Sequence, residues 1–413
     1  MKVSLITIGD EVLIGQIVNS NATWISDAVT TLGATVVEHV TVGDSAPELI
    51  AAIDRCKEYS EVLLLTGGLG PTHDDITKTV LAQYFNDVIV ESAEWVAHLE
   101  EWMSKRGRAL TDRNRGQALV PSSAVLLANP IGTAPGLLFD REDLMVVAMP
   151  GVPNEMKYIM EHGVLPVLTQ RINAQHNPIT QYSTLLTTGI AESNLADLIG
   201  NPEEFLGTST LAFLPNYHGV RLRIGVSGAS PHDRERERMR VASIIRQRAG
   251  AFIYGHDKQT LAEVVGKHLV DRRETLSVAE SCTGGMVGAV ITDVPGCSAW
   301  FAGGVISYSN EVKMRELGVG EWELQTHGAV SEIVAKQMAD GVRQKLGTSY
   351  GIGITGTAGP DGGTYEKPVG TVWIALSAHD ATEAVLHQFG SDRKINRERS
   401  VGAALGMLWK RVR

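Results

Sequence analysis

EVLLLTGGLGPTHDD, residues 61–75, decides how the first third of the chain is read. The run from Glu61 to Leu65 is too short for a helix. It also lacks the alternation of a strand with one wet face, so it reads as a strand covered on both sides. It passes straight into Thr66-Gly67-Gly68, and a helix is predicted over Ile76–Phe85. Working outward, Lys2–Ile8 and Ala34–Val42 read as strands, and Asn19–Leu32 and Ala46–Glu58 as helices. A helix near Ser92–Arg106, strands at Ala124–Leu127 and Leu144–Met149, and a helix over Pro153–Thr169 continue the alternation and close a domain near residue 172. Strands separated by helices imply right-handed crossovers and a parallel sheet.

Beyond Gln181 the pattern changes. Thr184–Thr188, Leu211–Leu214 and Val220–Val226 are strand-like and lie beside a charged helix, His232–Gln247, which together suggest a small α+β module. The arginines of its RERERMR stretch alternate with glutamates, so a solvated helical face is the better reading than a nucleic-acid helix. A third block follows Gly255-His256-Asp257. It has predicted helices at Leu261–Leu269, Met286–Thr292, Ser331–Leu346 and Arg393–Trp409, and strands at Leu276–Ala279, Ala299–Tyr308, Gly351–Gly356 and Thr371–Ala378. The expected organisation is α/β overall, with domains at 1–172, 173–256 and 257–413. The two α/β blocks share no repeat, which points to two different sites.

Composition bounds the function. With 43% hydrophobic and 20% charged residues, and 43 glycines against 15 prolines, the chain is folded and neither disordered nor collagen-like. A net charge of −10 without a basic block argues against a broad nucleic-acid face. Cys56, Cys282 and Cys297 offer neither a disulfide framework nor a structural zinc motif, so a reducing compartment is expected. No window of about 18 apolar residues occurs and the start lacks a signal-peptide pattern, so the expectation is a cytoplasmic enzyme.

Two constellations carry chemistry. In the first block, Gly67, Gly68 and Gly70 let the backbone approach a phosphate, with Thr72 beside them and a helix N-terminus adding amide donors. Asp74 and Asp75 can hold Mg²⁺ or a similar hard ion, and Asp10-Glu11, at the end of the first strand, can supply further ligands. An aspartate before a helix is also an ordinary cap. The loops Asn129–Gly136 and Met149–Glu155 sit at corresponding positions, as pocket walls or as plain turns.

In the third block, Ser281 precedes a helix and is followed by Cys282, Thr283, Gly284 and Gly285, an arrangement that exposes a hydroxyl among backbone amides, as an oxyanion hole requires. Serine needs a base, and no histidine lies nearby in sequence. A lysine of lowered pKa can serve and a tyrosine can relay the proton, so Ser281, Tyr308 and Lys313 form a candidate triad. Serine at a helix start is equally a cap. Cys282 leaves a cysteine-hydrolase reading open. Arg393 and Arg397, one helical turn apart, suit a substrate phosphate or a solvated face. Gly351–Gly356 spells a dinucleotide fingerprint, but it lies within a strand instead of after one; Ser391–Lys394 spells Ser-x-x-Lys without its companion motifs.

In order along the chain, TIGDEVLIGQIVNSN (7–21), TGGLGPTHDD (66–75), NPIGTAPG (129–136) and MPGVPNEM (149–156) resemble the CinA family, whose front domain is similar to molybdopterin-binding domains. SVAESCTGG (277–285), AWFAGGVISYSNEVK (299–313), GAVSE (328–332), GITGTAGPDGG (353–363) and KPVGTVW (367–373) resemble the CinA C-terminal domain. The resemblance implies a molybdopterin-binding-like parallel-sheet domain with a metal-dependent ADP-ribose pyrophosphatase site, which carries over to Asp10, Glu11, Gly67, Gly68, Asp74 and Asp75. It further implies an α/β deamidase domain that turns nicotinamide mononucleotide into nicotinate mononucleotide and ammonia. Ser281, Tyr308 and Lys313 match the family's serine, tyrosine and lysine positions, with Thr283, Gly284 and Gly356, Thr357, Ala358 and Gly359 at the pocket. The deamidase site would need no cofactor, and a homodimer is expected. The rival readings are a pterin-binding or nucleotidyl-transferring protein and a DNA-uptake accessory protein.

Overall fold

A computed structural model of the chain describes residues 1–175, 179–228 and 230–413. Residues 176–178 and 229 of the expected 173–256 module lie outside the described residues. The chain separates into two compact units, residues 1–182 with 227–234, and residues 183–226 with 235–413.

The first unit is built on β1 (Lys2–Ile8), β2 (Thr35–Val42), β3 (Val62–Thr66), β4 (Ile89–Glu91), β5 (Leu119–Pro121), β6 (Val125–Leu127), β7 (Gly136–Asp140) and β8 (Met145–Met149). Six of these form one sheet in the order β2-β1-β3-β8-β7-β6, and β4 pairs with β5 separately. Pairing is parallel from β2 to β8 and antiparallel for β7 and β6, so the expected parallel sheet carries an antiparallel edge. The continuous apolar runs follow from burial on both faces. Leu5, Val62 and Leu64 join one core with Ile25, Val29, Met156 and Ile159 of the helices Ser20–Thr31 and Pro153–Ile159. Ile6, Leu63 and Leu65 join the other with Leu49, Ile53, Val80 and Leu81 of the helices Ala46–Lys57 and Thr77–Tyr84.

Two further sheets lie mostly or wholly in the second unit. One comprises β9 (Ile179–Thr187), β10 (Thr210–Asn216), β11 (Gly219–Gly228) and β12 (Ile253–His256), in the order β10-β11-β9-β12. The helices Glu192–Ile199 and Pro231–Ala249 contribute to its core. On the latter helix, Glu235 pairs with Arg238 at 2.5 Å and Glu237 with Arg240 at 2.6 Å, as a solvated charged face requires.

The other sheet comprises β13 (Leu276–Glu280), β14 (Phe301–Ile306), β15 (Tyr350–Gly356), β16 (Thr371–Ser377) and β17 (Thr382–Gln388), in the order β14-β13-β15-β16-β17. Only β14, β13 and β15 run parallel. The glycines that imitate a dinucleotide fingerprint have a packing reason. A Cβ on Gly351 would lie 2.3 Å from the Ala339 carbonyl oxygen and one on Gly353 2.4 Å from that of Ala335, so these residues let the helix Glu332–Leu346 lie directly on β15. Among the described residues no helix is long and apolar enough to cross a membrane.

Candidate active sites

In the first unit, strand order explains why separate motifs share one rim. Parallel β1, β2, β3 and β8 all deliver their carboxyl ends to the same edge, the usual ligand edge of such sheets. Asp10-Glu11 follow β1, Asp44 follows β2, the Thr66–Asp75 loop follows β3, and Gly151–Glu155 follow β8. β7 runs the other way, so the Asn129–Pro135 loop before it reaches that edge too.

The loop is tightly tied. Gly67 donates to the Met149 carbonyl at 3.0 Å, and the Thr77 hydroxyl donates to the Gly67 carbonyl at 2.9 Å. Asp75 accepts from the Gly70 amide at 2.7 Å, the Thr72 amide at 2.8 Å and the Thr72 hydroxyl at 2.5 Å, so its carboxylate shapes the loop. Asp10 and Asp44 exchange amide-to-carboxylate hydrogen bonds at 3.2 and 3.3 Å. Burial raises the Asp44 pKa, and repulsion from Asp10, Glu11 and Asp74 adds to it. Sequence reading missed Asp44, because only the pairing of β2 with β1 brings it in. All these donors are anionic oxygens, the class a hard divalent cation takes. Among the described residues, however, no three Asp, Glu, His or Cys side chains form a ready cation cage.

Behind the loop, the Lys78 amine donates to the Gly116 carbonyl at 3.1 Å, and burial lowers its pKa to about 8. Asn129 and Glu155, from the two loops left open between pocket and turn, meet at 2.6 Å, and burial raises the Glu155 pKa. Gly67 has φ +110°, and a Cβ there would stand 2.1 Å from the Ile8 carbonyl oxygen. Gly67→Ala is therefore expected to cost about 2–5 kcal/mol. In thermal melts of the full chain it should lower the transition of the first unit while leaving chemistry at Ser281 unchanged.

In the second unit the same rule operates. Parallel β14, β13 and β15 bring Ser307–Lys313, Ser281–Gly285 and Gly356–Gly359 to one edge, and the Ser281 amide donates to the Ile354 carbonyl at 3.0 Å. The Lys313 Nζ lies 3.1 Å from the Ser281 Oγ, 2.7 Å from the Ser307 carbonyl oxygen and 3.3 Å from that of Tyr308. Local structure accounts for this placement. Ser309 caps the helix Asn310–Leu317, and a helical side chain points back toward its N-terminus, so the Lys313 amine is carried over the two residues before the cap. Lys313 is 1% exposed and burial lowers its pKa. A neutral amine has two hydrogens and one lone pair, so in the neutral form, with the two carbonyls taking the hydrogens, the lone pair would turn to Ser281.

The structure revises the expected triad to a pair. Tyr308 is 64% exposed, and its hydroxyl meets Arg393 at 3.3 Å instead of Ser281 or Lys313; only its carbonyl reaches the lysine. Cys282 is buried and burial raises its thiol pKa to about 11, which disfavours the thiolate a cysteine hydrolase needs. The Gly284 amide is engaged by the Ser281 carbonyl at 3.2 Å. The Cys282 and Thr283 amides donate to no oxygen among the described residues.

Arg397 donates to the Thr283 carbonyl at 2.7 and 3.2 Å, and Arg393 to that of Gly359 at 2.8 Å. Both therefore tie site loops to the helix Arg393–Val412, and each keeps uncommitted N–H donors. Asn396, not singled out from sequence, holds the Ala358 carbonyl at 3.0 Å, and the Thr357 amide donates to the Thr371 carbonyl at 2.8 Å. Glu280 was also missed. Its buried carboxylate accepts from the Gly285 and Gly288 amides at 2.9 Å and from the Val287 amide at 3.1 Å, fixing the turn that carries Ser281.

Comparison with known proteins matches three segments of the chain. Residues 4–170 match the family described as "Probable molybdopterin binding domain", 183–255 the damage-inducible protein CinA KH domain, and 258–412 the CinA C-terminal domain. A CinA-like protein of Gemmatimonas aurantiaca is 43% identical over 99% of this chain and 96% of its own length. One from Salinibacter ruber is 40% identical over 98% of each. Among solved structures, the competence/damage inducible protein from Agrobacterium tumefaciens is 37% identical, covering 36% of this chain and 91% of that one, with a TM-score of 0.35. With full-length relatives at this identity, and with two of its three segments matching models described as CinA domains, the chain belongs to the CinA family.

Proposed function

We propose that the chain is a bifunctional hydrolase of pyridine-nucleotide recycling, which deamidates nicotinamide mononucleotide in its second unit and cleaves ADP-ribose to AMP and ribose 5-phosphate in its first. The observation that carries the deamidase reading is the 3.1 Å approach of the Lys313 Nζ to the Ser281 Oγ inside a buried setting. Ser281 Oγ attacks the carboxamide carbon as its proton passes to the Lys313 Nζ, while the Cys282 and Thr283 amides hold the developing oxyanion. The lysine ammonium then protonates the departing nitrogen, which leaves as ammonia. Lys313 next takes a proton from water as that water attacks the acyl-serine, and returns it to Ser281 Oγ as nicotinate mononucleotide departs.

Support for the first-unit reaction is the tied glycine loop beside the carboxylates Asp10, Glu11, Asp44 and Asp74. A divalent cation bound there would neutralise diphosphate charge; since the carboxylates form no ready cage by themselves, Asp10, Asp44 and Asp74 would hold it together with the diphosphate oxygens, while Asp75 keeps the loop in shape. Incubating the purified protein with each nucleotide, with and without a chelator, tests both halves. Ammonia from nicotinamide mononucleotide that survives chelation, and AMP from ADP-ribose that does not, are the expected products. Absence of ammonia would remove the deamidase assignment, and chelator-resistant AMP formation would remove the metal from the other.

A further inference from the structure

A second cleft in the second unit, of about 940 Å³, has no part in the chemistry at Ser281. It forms where β12, the C-terminal part of the helix Pro231–Ala249, the helix Leu261–Arg272 and the turn after the helix Met286–Thr292 come together. It is wide and largely open to solvent, with room for a small molecule lying along it. Two unlike walls line it. Tyr254, Val294 and Pro295 supply an apolar surface, and Arg246 and Lys267 a cationic one, with His268 beside them.

The balance of committed and uncommitted groups is what points to a ligand. The acidic lining residues are occupied. Asp257 accepts from the Thr184 amide at 2.9 Å and faces His256 at 3.1 Å, and Glu263 accepts from the Thr260 amide at 2.6 Å in a capping box. The Arg246 and Lys267 side chains, in contrast, form no hydrogen bond or ion pair among the described residues. A chain of net charge −10 has many carboxylates with which to pair surface cations, yet here two stay open over one cleft. Such an arrangement concentrates anions. The apolar wall offers a flat group a place to leave water.

We propose that this cleft binds a nucleoside polyphosphate, with its phosphates on Arg246 and Lys267 and its base against Tyr254 and Pro295. The proposal stands whether or not Ser281 is a nucleophile. Titration calorimetry of the full chain with ATP, without added divalent ion, tests it. The parent should bind saturably, the Arg246→Glu/Lys267→Glu variant at least tenfold more weakly, and the Arg246→Lys/Lys267→Arg variant within about threefold of the parent. Both side chains are exposed, so the melting temperature and the reaction at Ser281 should stay unchanged, which separates lost binding from lost folding. Parent protein that shows no saturable binding at millimolar ATP overturns the site. A charge-reversed variant that binds as tightly as the parent does so too, since ATP then sits elsewhere. Inorganic tripolyphosphate binding as tightly as ATP removes the nucleoside and overturns the assignment of ligand class.

Discussion

Ser281→Ala is expected to lower ammonia release from nicotinamide mononucleotide by at least about 10³-fold, and Lys313→Met by a similar factor, with the double variant little worse than either alone. Groups that act as one unit lose nearly everything at the first deletion. ADP-ribose cleavage should be unaffected in all three, because its residues belong to the other unit. The lysine variant also separates chemistry from folding. Burial depresses the Lys313 pKa, so between that lowered value and the ordinary lysine value of 10.5 the folded chain holds fewer protons than the unfolded one. This contribution makes stability rise with pH through that window, while below it the full cost of burying the ammonium applies and no longer changes with pH, and a methionine removes the burden. The Lys313→Met protein should therefore melt no lower than the parent near neutral pH while being inactive. In the parent, deamidation should increase with pH as the ammonium deprotonates and level off at an apparent pKa below 10.5. A rate that falls across this limb, or a Ser281→Ala protein that still releases ammonia, would refute the pair.

The second large effect concerns Glu280, which touches no reacting atom in the proposed chemistry. Glu280→Ala leaves three buried or half-buried amides without an acceptor, those of Gly285, Val287 and Gly288. Hydrogen bonds to a charged group contribute roughly 1.5–3 kcal/mol each, not additively, so a loss of about 3–5 kcal/mol is expected. Glu280→Gln keeps an oxygen for two of the donors but turns an NH₂ toward the third, and should lose about 1–2 kcal/mol. Urea unfolding of the full chain reads both. The glutamine variant has a further signature: if the carboxylate holds the nucleophile turn, kcat should fall more than KM changes. Equal stability of the alanine variant and the parent would show that the turn does not depend on this side chain.

The elements most legible in sequence were those buried on both faces. Lys2–Ile8 and the strand ending at Thr66 announced themselves because opposite residues enter opposite cores. β17 escaped notice since none of its residues is fully buried, and β7 because it is short and follows a turn-rich loop. The individual motifs of both sites were readable, but their convergence was not, since it depends on which strands are neighbours. Asp44 and Glu280 are examples: one requires the pairing of β2 with β1, the other a turn that folds back on its own strand. Tyr308 shows the opposite error. Five residues separate it from Lys313, and spacing alone does not reveal that a helix cap between them sends the lysine inward and leaves the tyrosine ring outside.

The sulfur next to Ser281 has a consequence for the conditions under which this chemistry can run. With its pKa near 11, Cys282 is a thiolate in only about one molecule in 10⁴ at neutral pH, and peroxides and alkylating agents attack the thiolate. If the proposed amidase chemistry runs on the Ser281 alcohol and the Lys313 amine, the protonated sulfur beside them gives oxidants little to attack at that site. Nucleotide recovery by such a protein would continue through oxidative stress that silences enzymes relying on an activated cysteine.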